Sequence, residues 1–319
     1  MPDSASTDSV ESTQPIRIAT RSSKLALWQA EHIKSLLGAA VPDIPVEIVH
    51  ISTKGDQNQT DALRQFGGTG VFTREVQVSV LQQETDIAVH SLKDLPTESA
   101  DGLALGGVPD RAPKFDAVLL PDGKQIASLD ELAQGAKVGT GSPRRQAQLL
   151  HVRPDLQMEE IRGNVDTRIR KLDEGQYDAI ILAEAGLRRL QLANRISLLL
   201  APPTVLPAIG QGAIGIECRA DDQRVRDVLK LITNKDVMAC ATAERSLLRH
   251  MRAGCHAPLG ALTTLEDGTI QLDAVLLSTD GKQRLEANGR AAATESEELG
   301  HTVAEALLSS GGSELMSEA

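Results

Sequence analysis

Short apolar runs and amphipathic stretches alternate along most of this chain, so that strand and helix periods take turns. Residues 16–20 (Ile-Arg-Ile-Ala-Thr) read as a first strand; Leu25, Trp28, Ile33 and Leu36 then recur at helical spacing until Gly38 closes the pattern. Further strands are predicted over 46–52, 86–90, 103–108, 116–120, 157–162 and 178–183, with helices over 72–83, 129–133 and 164–173 between them. Such alternation predicts an α/β fold with parallel sheets covered on both faces. Residues 54–70 interrupt it with glycines and polar side chains, the profile of a lid or a disordered insert. A proline-rich connector over 202–207 leads to a strand over 214–218 and helices over 223–232 and 241–252. The pattern then changes. Strands over 260–265, 269–278 and 284–292 are separated by Asp267-Gly268 and Asp280-Gly281, both hairpin signals, and a last helix spans 295–308. That is a small antiparallel α+β domain.

Composition narrows the partners. A net charge of -11 argues against nucleic acid and anionic membrane surfaces, and an aromatic share of 2% against recognition by ring stacking. No run approaches the ~18 apolar residues of a membrane helix. Residues 1–14 lack the marks of a secretion signal or transit peptide and read as a disordered tail on a cytoplasmic protein. Cys218, Cys240 and Cys255, an odd number without C-x-x-C spacing, predict neither a disulfide framework nor a metal site.

The chemistry gathers at strand ends, where α/β sheets bind their ligands. Arg21, Lys93, Asp94, Arg144, Arg145 and Arg162 all lie at or just beyond a predicted carboxyl end. The stretch 138–145 (Val-Gly-Thr-Gly-Ser-Pro-Arg-Arg) offers Ser142 as an N-cap and Pro143 at the first helical position. Two arginines then follow at the electropositive end of a helix, which suits an anion held there, or else they are two solvated arginines on a surface turn. With Arg162, Arg168 and one of Arg188 and Arg189, the set predicts a polyanionic ligand bound by guanidinium forks. No G-x-x-x-x-G-K-[ST] loop is present, so the anion is polycarboxylate or sugar phosphate rather than nucleotide triphosphate. The match 210–215 to G-x-G-x-x-G lacks the strand before it and the helix after it; its glycines point instead to a tight backbone crossing. Asp94, beside Lys93, is placed to hold or transfer a proton at a developing cation, or else forms a solvated turn pair. His90 reads as a structural, hydrogen-bonded residue. Cys255 reads on composition as an ordinary buried thiol, but its place after a helix in Gly-Cys-His fits an accessible thiol better than Cys218 and Cys240 do, which read as core.

Several long motifs stand in one order: Arg17-Ile-Ala-Thr-Arg-Ser-Ser, the Leu-Ala-Leu-Trp-Gln-Ala that starts at Leu25, Asp86-Ile-Ala-Val-His-Ser-Leu-Lys-Asp-Leu-Pro, the 138–145 stretch, the Arg-Gly-Asn-Val-Asp-Thr-Arg of 162–168, the Leu-Pro-Ala-Ile-Gly-Gln-Gly-Ala of 206–213 and the Gly-Cys-His-Ala-Pro of 254–258. Together they resemble the porphobilinogen deaminase (hydroxymethylbilane synthase) family almost end to end. The resemblance implies two lobes like those of type II periplasmic binding proteins, one over 15–110 with 212–230 and the other over 111–206, plus the α+β domain over 232–319. It implies a dipyrromethane cofactor joined by a thioether to Cys255, no metal, and porphobilinogen as the substrate polymerised to hydroxymethylbilane by a monomer. Asp94 matches the catalytic aspartate. Arg21, Ser23, Lys93, Thr140, Ser142, Arg144, Arg145, Arg162, Arg168 and Arg189 match positions that bind acetate and propionate groups, and 54–70 matches the mobile lid. Thr69, Gly141, Pro143 and Asp166 depart from the usual pattern. The competing reading is a non-enzymatic two-lobed module that closes around a small polycarboxylate.

Overall fold

A computed structural model of the chain describes residues 14–52, 73–252 and 257–317. The tail expected over 1–14, Gln14 apart, the 54–70 lid with Thr69, and Cys255 lie outside these residues. The first strand, β1 (Ile16–Thr20), leads into α1 (Lys24–Ala40), where the Ser23 hydroxyl caps the first turn by accepting from Ala26 N at 3.3 Å. Gly38 does not end this helix: its missing Cβ would face open space, and the last turn runs on through Ala39 and Ala40. After β2 (Val46–His50), α2 (Arg74–Leu81) precedes β3 (Ile87–Ser91), and β4 (Leu103–Gly107) follows. The chain then leaves this sheet. A second sheet takes β5 (Asp116–Leu119), β6 (Lys137–Gly139), β7 (Gln157–Glu159), β8 (Ala179–Ala183) and β9 (Leu198–Leu200). Its helices are α3 (Pro143–Val152), α4 (Val165–Asp173) and α5 (Glu184–Arg189). The helix expected over 129–133 is only a 3-10 turn, Leu129–Glu131; Leu129 and Leu132 are buried by it and Gly135 follows.

β10 (Ile214–Arg219) returns to the first sheet, and α6 (Gln223–Ile232) follows it. The two sheets have orders β2-β1-β3-β10-β4 and β7-β6-β8-β5-β9. Position for position these are the same: in each, one strand runs antiparallel to both neighbours, β10 in the first and β5 in the second. Purely parallel sheets, the expectation from alternation, are therefore not what forms. The reason is the chain path, since β5 and β10 each enter their sheet from the other lobe and so arrive in the opposite direction. Alternate strand residues cover the two faces. Ile18, Ile87, Val89 and Ile216 pack under α1 and α6, while Ala19 and Ala88 pack with Val76 and Val80 of α2. Each large side chain so buried contributes roughly 1.5–3 kcal/mol.

The third domain opens with α7 (Lys235–His250), then β11 (Leu259–Glu266), β12 (Thr269–Leu277) and β13 (Arg284–Ala292), paired antiparallel in that order, and α8 (Ser296–Leu307). Asp267 and Gly268, at φ 48° and 73°, make the tight hairpin expected of them. A core of Leu247, Ile270, Leu272, Leu276, Val303 and Leu307 fills the space between helices and sheet.

The three domains meet at the two crossings between lobes. Ala112 N donates to Gly212 O at 3.0 Å, and a Cβ on Gly212, whose φ is +87°, would lie 2.4 Å from the Ala112 oxygen. Only glycine fits there, as the tight crossing read from the sequence requires. Glu244 of α7, fully buried, completes the junction. It accepts from Arg111 Nη1 and Nη2 at 2.7 and 3.0 Å, from Thr263 Oγ1 at 2.6 Å and from Gly210 N at 2.7 Å. Burial alone would raise its pKa, but Arg111 outweighs that and holds it lowered. Removing one member of a buried pair strands the other, so Glu244→Ala should lose about 3–5 kcal/mol in chemical denaturation. A loss under about 1 kcal/mol, the level of an exposed pair, would show that the junction is not what joins the domains.

Candidate active site

β3 ends at Ser91 and passes directly into a 3-10 turn, Leu92–Asp94, with Leu95 N donating to Leu92 O at 3.2 Å. Leu92 is buried, Lys93 half-buried and Asp94 exposed, so the turn anchors itself by one side chain and presents the next two. It is held from both sides. On one side Leu92 N donates to Ala213 O at 3.0 Å, and Gly210 packs so closely that its Cβ would meet Leu92 and the Lys93 backbone at 3.0–3.3 Å. On the other, Arg245 of α7 donates to the carbonyls of Pro96 at 2.7 Å and Thr97 at 3.2 Å.

Across from this turn stands the N-terminus of α3. Ser142 occupies the N-cap position with Pro143 at N1, but its side chain makes no capping hydrogen bond. The anion that the two arginines attract is, in this structure, supplied by the protein. Asp116, buried at the start of β5, accepts from Arg144 Nη1 at 2.7 Å and from Arg145 Nε and Nη2 at 3.0 and 2.7 Å. Arg144 Nη1 also donates to Leu206 O at 2.6 Å and Arg145 Nη1 to Ile181 O at 2.9 Å, while Arg144 Nε is buried without a partner. Burial would raise the Asp116 pKa; Arg144 and then Arg145 overcome it and hold the carboxyl well below its usual range.

Lys93 lies within the field of this group. Burial, then the Arg145 charge, push its pKa down to about 8, against the opposing pull of Asp94 and Asp116. Arg168, on α4, is brought to about 10 by burial and by Arg145, with Asp94 pulling the other way; its Nε donates to Gly163 O at 2.8 Å. Arg162 donates to Glu160 through Nε at 2.9 Å. Lys93, Asp94, Arg144, Arg145, Arg162 and Arg168 thus come within electrostatic reach of one another, from both lobes.

The remaining expected ligands are arranged differently. Arg21 follows β1, half-buried, and Ser23 spends its oxygen on capping α1. Thr140 is buried, its hydroxyl accepting from Ser142 N at 3.2 Å. Arg189 is buried at the lobe boundary: Nη2 donates to Gly212 O at 2.8 Å and its guanidinium lies 5.3 Å from the Trp28 ring centroid. Its neighbour Arg188 instead pairs at the surface with Glu184 at 2.7 Å. Asp166, a departure that would place negative charge among the arginines, pairs with Lys24 of the other lobe at 2.6 Å. Gly141 answers no steric need, for a Cβ would meet Ile161 O at an ordinary 3.5 Å. His90 is buried, with Nε2 3.1 Å from Glu217 Oε2. Cys218 and Cys240 are buried free thiols; burial lifts Cys218 to about 11, which makes it inert at neutral pH.

Two lobes of like strand order with cationic side chains gathered between them, and a third α+β domain at the crossings, define a two-lobed binding-protein fold. The chain belongs to the porphobilinogen deaminase family. Residues 16–227 match the family model described as "Porphobilinogen deaminase, dipyromethane cofactor binding domain", and residues 238–309 the one described as "Porphobilinogen deaminase, C-terminal domain". The family's members are transferases of tetrapyrrole biosynthesis, hydroxymethylbilane is the product, and dipyrromethane is the cofactor. Among solved structures, the chain is similar to the Bordetella pertussis BvgS VFT2 domain (13% identity, covering 73% of this chain and 93% of that one, TM-score 0.44). It is also similar to a putative methionine-binding lipoprotein of Bacillus subtilis (11%, 70% and 92%, 0.42) and to a putative periplasmic sulfonate-binding protein of Methylobacillus flagellatus (14%, 76% and 69%, 0.41). The fold rests on the strand orders above rather than on these likenesses. Among the described residues no helix is long and apolar enough to cross a membrane, and no cluster of three or more His, Cys, Asp or Glu side chains could hold a metal ion.

Asp116 and Gln211 belong to the site, yet the sequence reading assigned them no role. The signal for Asp116 was available: it is the one charge in the apolar run Asp-Ala-Val-Leu-Leu of 116–120. Because its pKa is depressed on folding, its stabilisation is complete above about pH 4 and fades as pH falls below the unfolded value. Asp116→Asn should therefore lose about 3–5 kcal/mol at neutral pH, with a shallower acid dependence. Urea unfolding followed from about pH 7 to pH 3 checks this, and parallel curves for the two proteins would reject it.

Proposed function

We propose that this chain is itself a porphobilinogen deaminase, joining porphobilinogen units with loss of ammonia, and that the reaction runs at Asp94. What carries this reading is the placement of the Leu92–Asp94 turn: an exposed carboxylate presented on a braced turn, within electrostatic reach of Arg168 of the other lobe. Dipyrromethane suits these surroundings. Its carboxylate arms need cationic donors, and Lys93, Arg162 and Arg168 are half-buried at the cleft, with Arg144 holding an unpartnered Nε. When bound, the cofactor would supply the free pyrrole carbon to which the first substrate unit is joined.

This chain's residues do the rest. Asp94 offers carboxylate oxygens to the amine that departs and to the positive charge that develops as it leaves. Arg162, Arg168 and Lys93 bind and orient carboxylate arms. Arg145, whose three nitrogens are already donating, acts through its field, and Asp116 holds it and Arg144 in place. Arg21, Ser142 and Ser23 line the approach at the ends of β6 and β1, while Thr140 and Arg189 act behind the site. Cys255 is assigned as the attachment point by the family motif alone.

An intact-protein mass spectrum tests the cofactor: the wild type should carry the added mass of one dipyrromethane, and Cys255→Ala should not. A folded, active chain of unmodified mass would sink the assignment. Asp94→Ala should retain the added mass while kcat falls by roughly a hundred- to ten-thousandfold. Turnover within about tenfold of wild type would remove Asp94 from the mechanism.

A further inference from the structure

The 210–215 segment carries one polar side chain into the middle of the molecule. Gln211 is fully buried, and its surroundings fix how its amide must face. Nε2 donates to Lys114 O at 2.8 Å and to Asp116 Oδ1 at 3.0 Å. Oε1 is left to accept, and Lys93 Nζ donates to it at 3.2 Å. The flipped amide would set its oxygen against a carbonyl and a carboxylate and its NH2 against an ammonium, so one orientation alone satisfies all three.

We propose that Gln211 is a positioning residue for the reaction, its amide bridging Asp116 of one lobe to the Lys93 ammonium of the other so that this ammonium is held beside Asp94. The inference rests on the cleft being the active site. Lys93 is a long, flexible side chain whose near neighbours Arg144 and Arg145 repel it, so without an acceptor it would turn away from them. A neutral amide oxygen suits the task better than a carboxylate. It fixes the ammonium without neutralising it, and the charge stays available for a substrate carboxylate. Asparagine would be one methylene short of spanning the gap. Placement on the crossing matters as well, because Gly210 and Gly212 hold the backbone on either side of Gln211 against Leu92 and Ala112. The bridge is anchored to the very turn it serves.

A double-mutant cycle on the full-length holoenzyme tests this, with dipyrromethane content read by intact mass in every variant. Gln211→Met keeps length and removes the acceptor. It should lower kcat/KM by roughly ten- to a hundredfold, the worth of one hydrogen bond to a charged group. In a Lys93→Met background the same change should cost less than about twofold. Independent, multiplicative losses would overturn the proposal. The pH profile gives a second readout that a packing defect would not move. Asp94 and Asp116 favour the Lys93 ammonium and Arg144 and Arg145 disfavour it; removing an acceptor favours deprotonation further. The alkaline limb of kcat/KM should therefore move to lower pH in Gln211→Met. Should that variant not fold, Gln211→Leu, which also removes the acceptor, should move the limb in the same direction. An alkaline limb that stays in place overturns the proposal in either variant. A wild-type chain lacking dipyrromethane and turnover would overturn the functional reading, and this inference with it.

Discussion

A carboxylate taken out of water has to be met by donors, and Glu244 is met from several parts of the chain at once. Arg111 reaches it from the first crossing, Gly210 from the second and Thr263 from the C-terminal sheet. Each donor would otherwise need its own solvation in a place that has none, so the three parts of the chain are obliged to meet where Glu244 is. The Leu92–Asp94 turn is braced by the same elements. The same crossing that gives Gly210 N to Glu244 lays Gly210 against Leu92 and Lys93, and the same helix that carries Glu244 carries Arg245 onto Pro96 and Thr97. The exposed Asp94 carboxylate is thereby seated on a turn braced from both sides.

Charge follows the same economy of placement. The chain is acidic overall at -11, yet its cleft is cationic, and the two facts are reconciled by where the counter-charges lie. Asp116 sits behind Arg144 and Arg145 and fixes them from the rear, while Asp166, which the sequence sets between Arg162 and Arg168, is drawn aside to Lys24. The arginines at the start of α3 are thus tolerable without a ligand, since a buried acid already answers them.

Elements with a strong local signature were legible from the sequence. β3 was readable from its unbroken apolar run, α4 from its period, and the C-terminal hairpins from their Asp-Gly turns. The tight crossing at Gly212 was legible too, because glycine in that spacing has few other uses. What local pattern could not carry was direction and partnership. The antiparallel courses of β5 and β10 follow from the path between lobes, which no window of the sequence contains. The 129–133 helix was overcalled because Leu129 and Leu132 satisfy the helical period in a single buried turn. Asp116 and Gln211 escaped as members of the site for a related reason. Each is a polar residue in apolar or glycine-rich surroundings, and its partners lie roughly 20 to 130 residues away, so its meaning appears only when the domains are assembled. Arg189 illustrates the same limit, since the family motif places it with the carboxylate ligands while the structure sets it across the lobe boundary against Trp28 and Gly212.

That contact has an optical consequence. The chain has a single tryptophan, and Trp28 lies with its ring against the Arg189 guanidinium of the opposite lobe and stacked on His32, whose centroid is 5.1 Å away. Both neighbours lie close enough to influence indole emission, one by its charge and the other by its ring contact. The molecule therefore carries an intrinsic fluorophore at the seam between its lobes, with the chain's one tyrosine as the only other phenolic or indole emitter. Any relative movement of the lobes would alter the surroundings of this fluorophore, with no label attached.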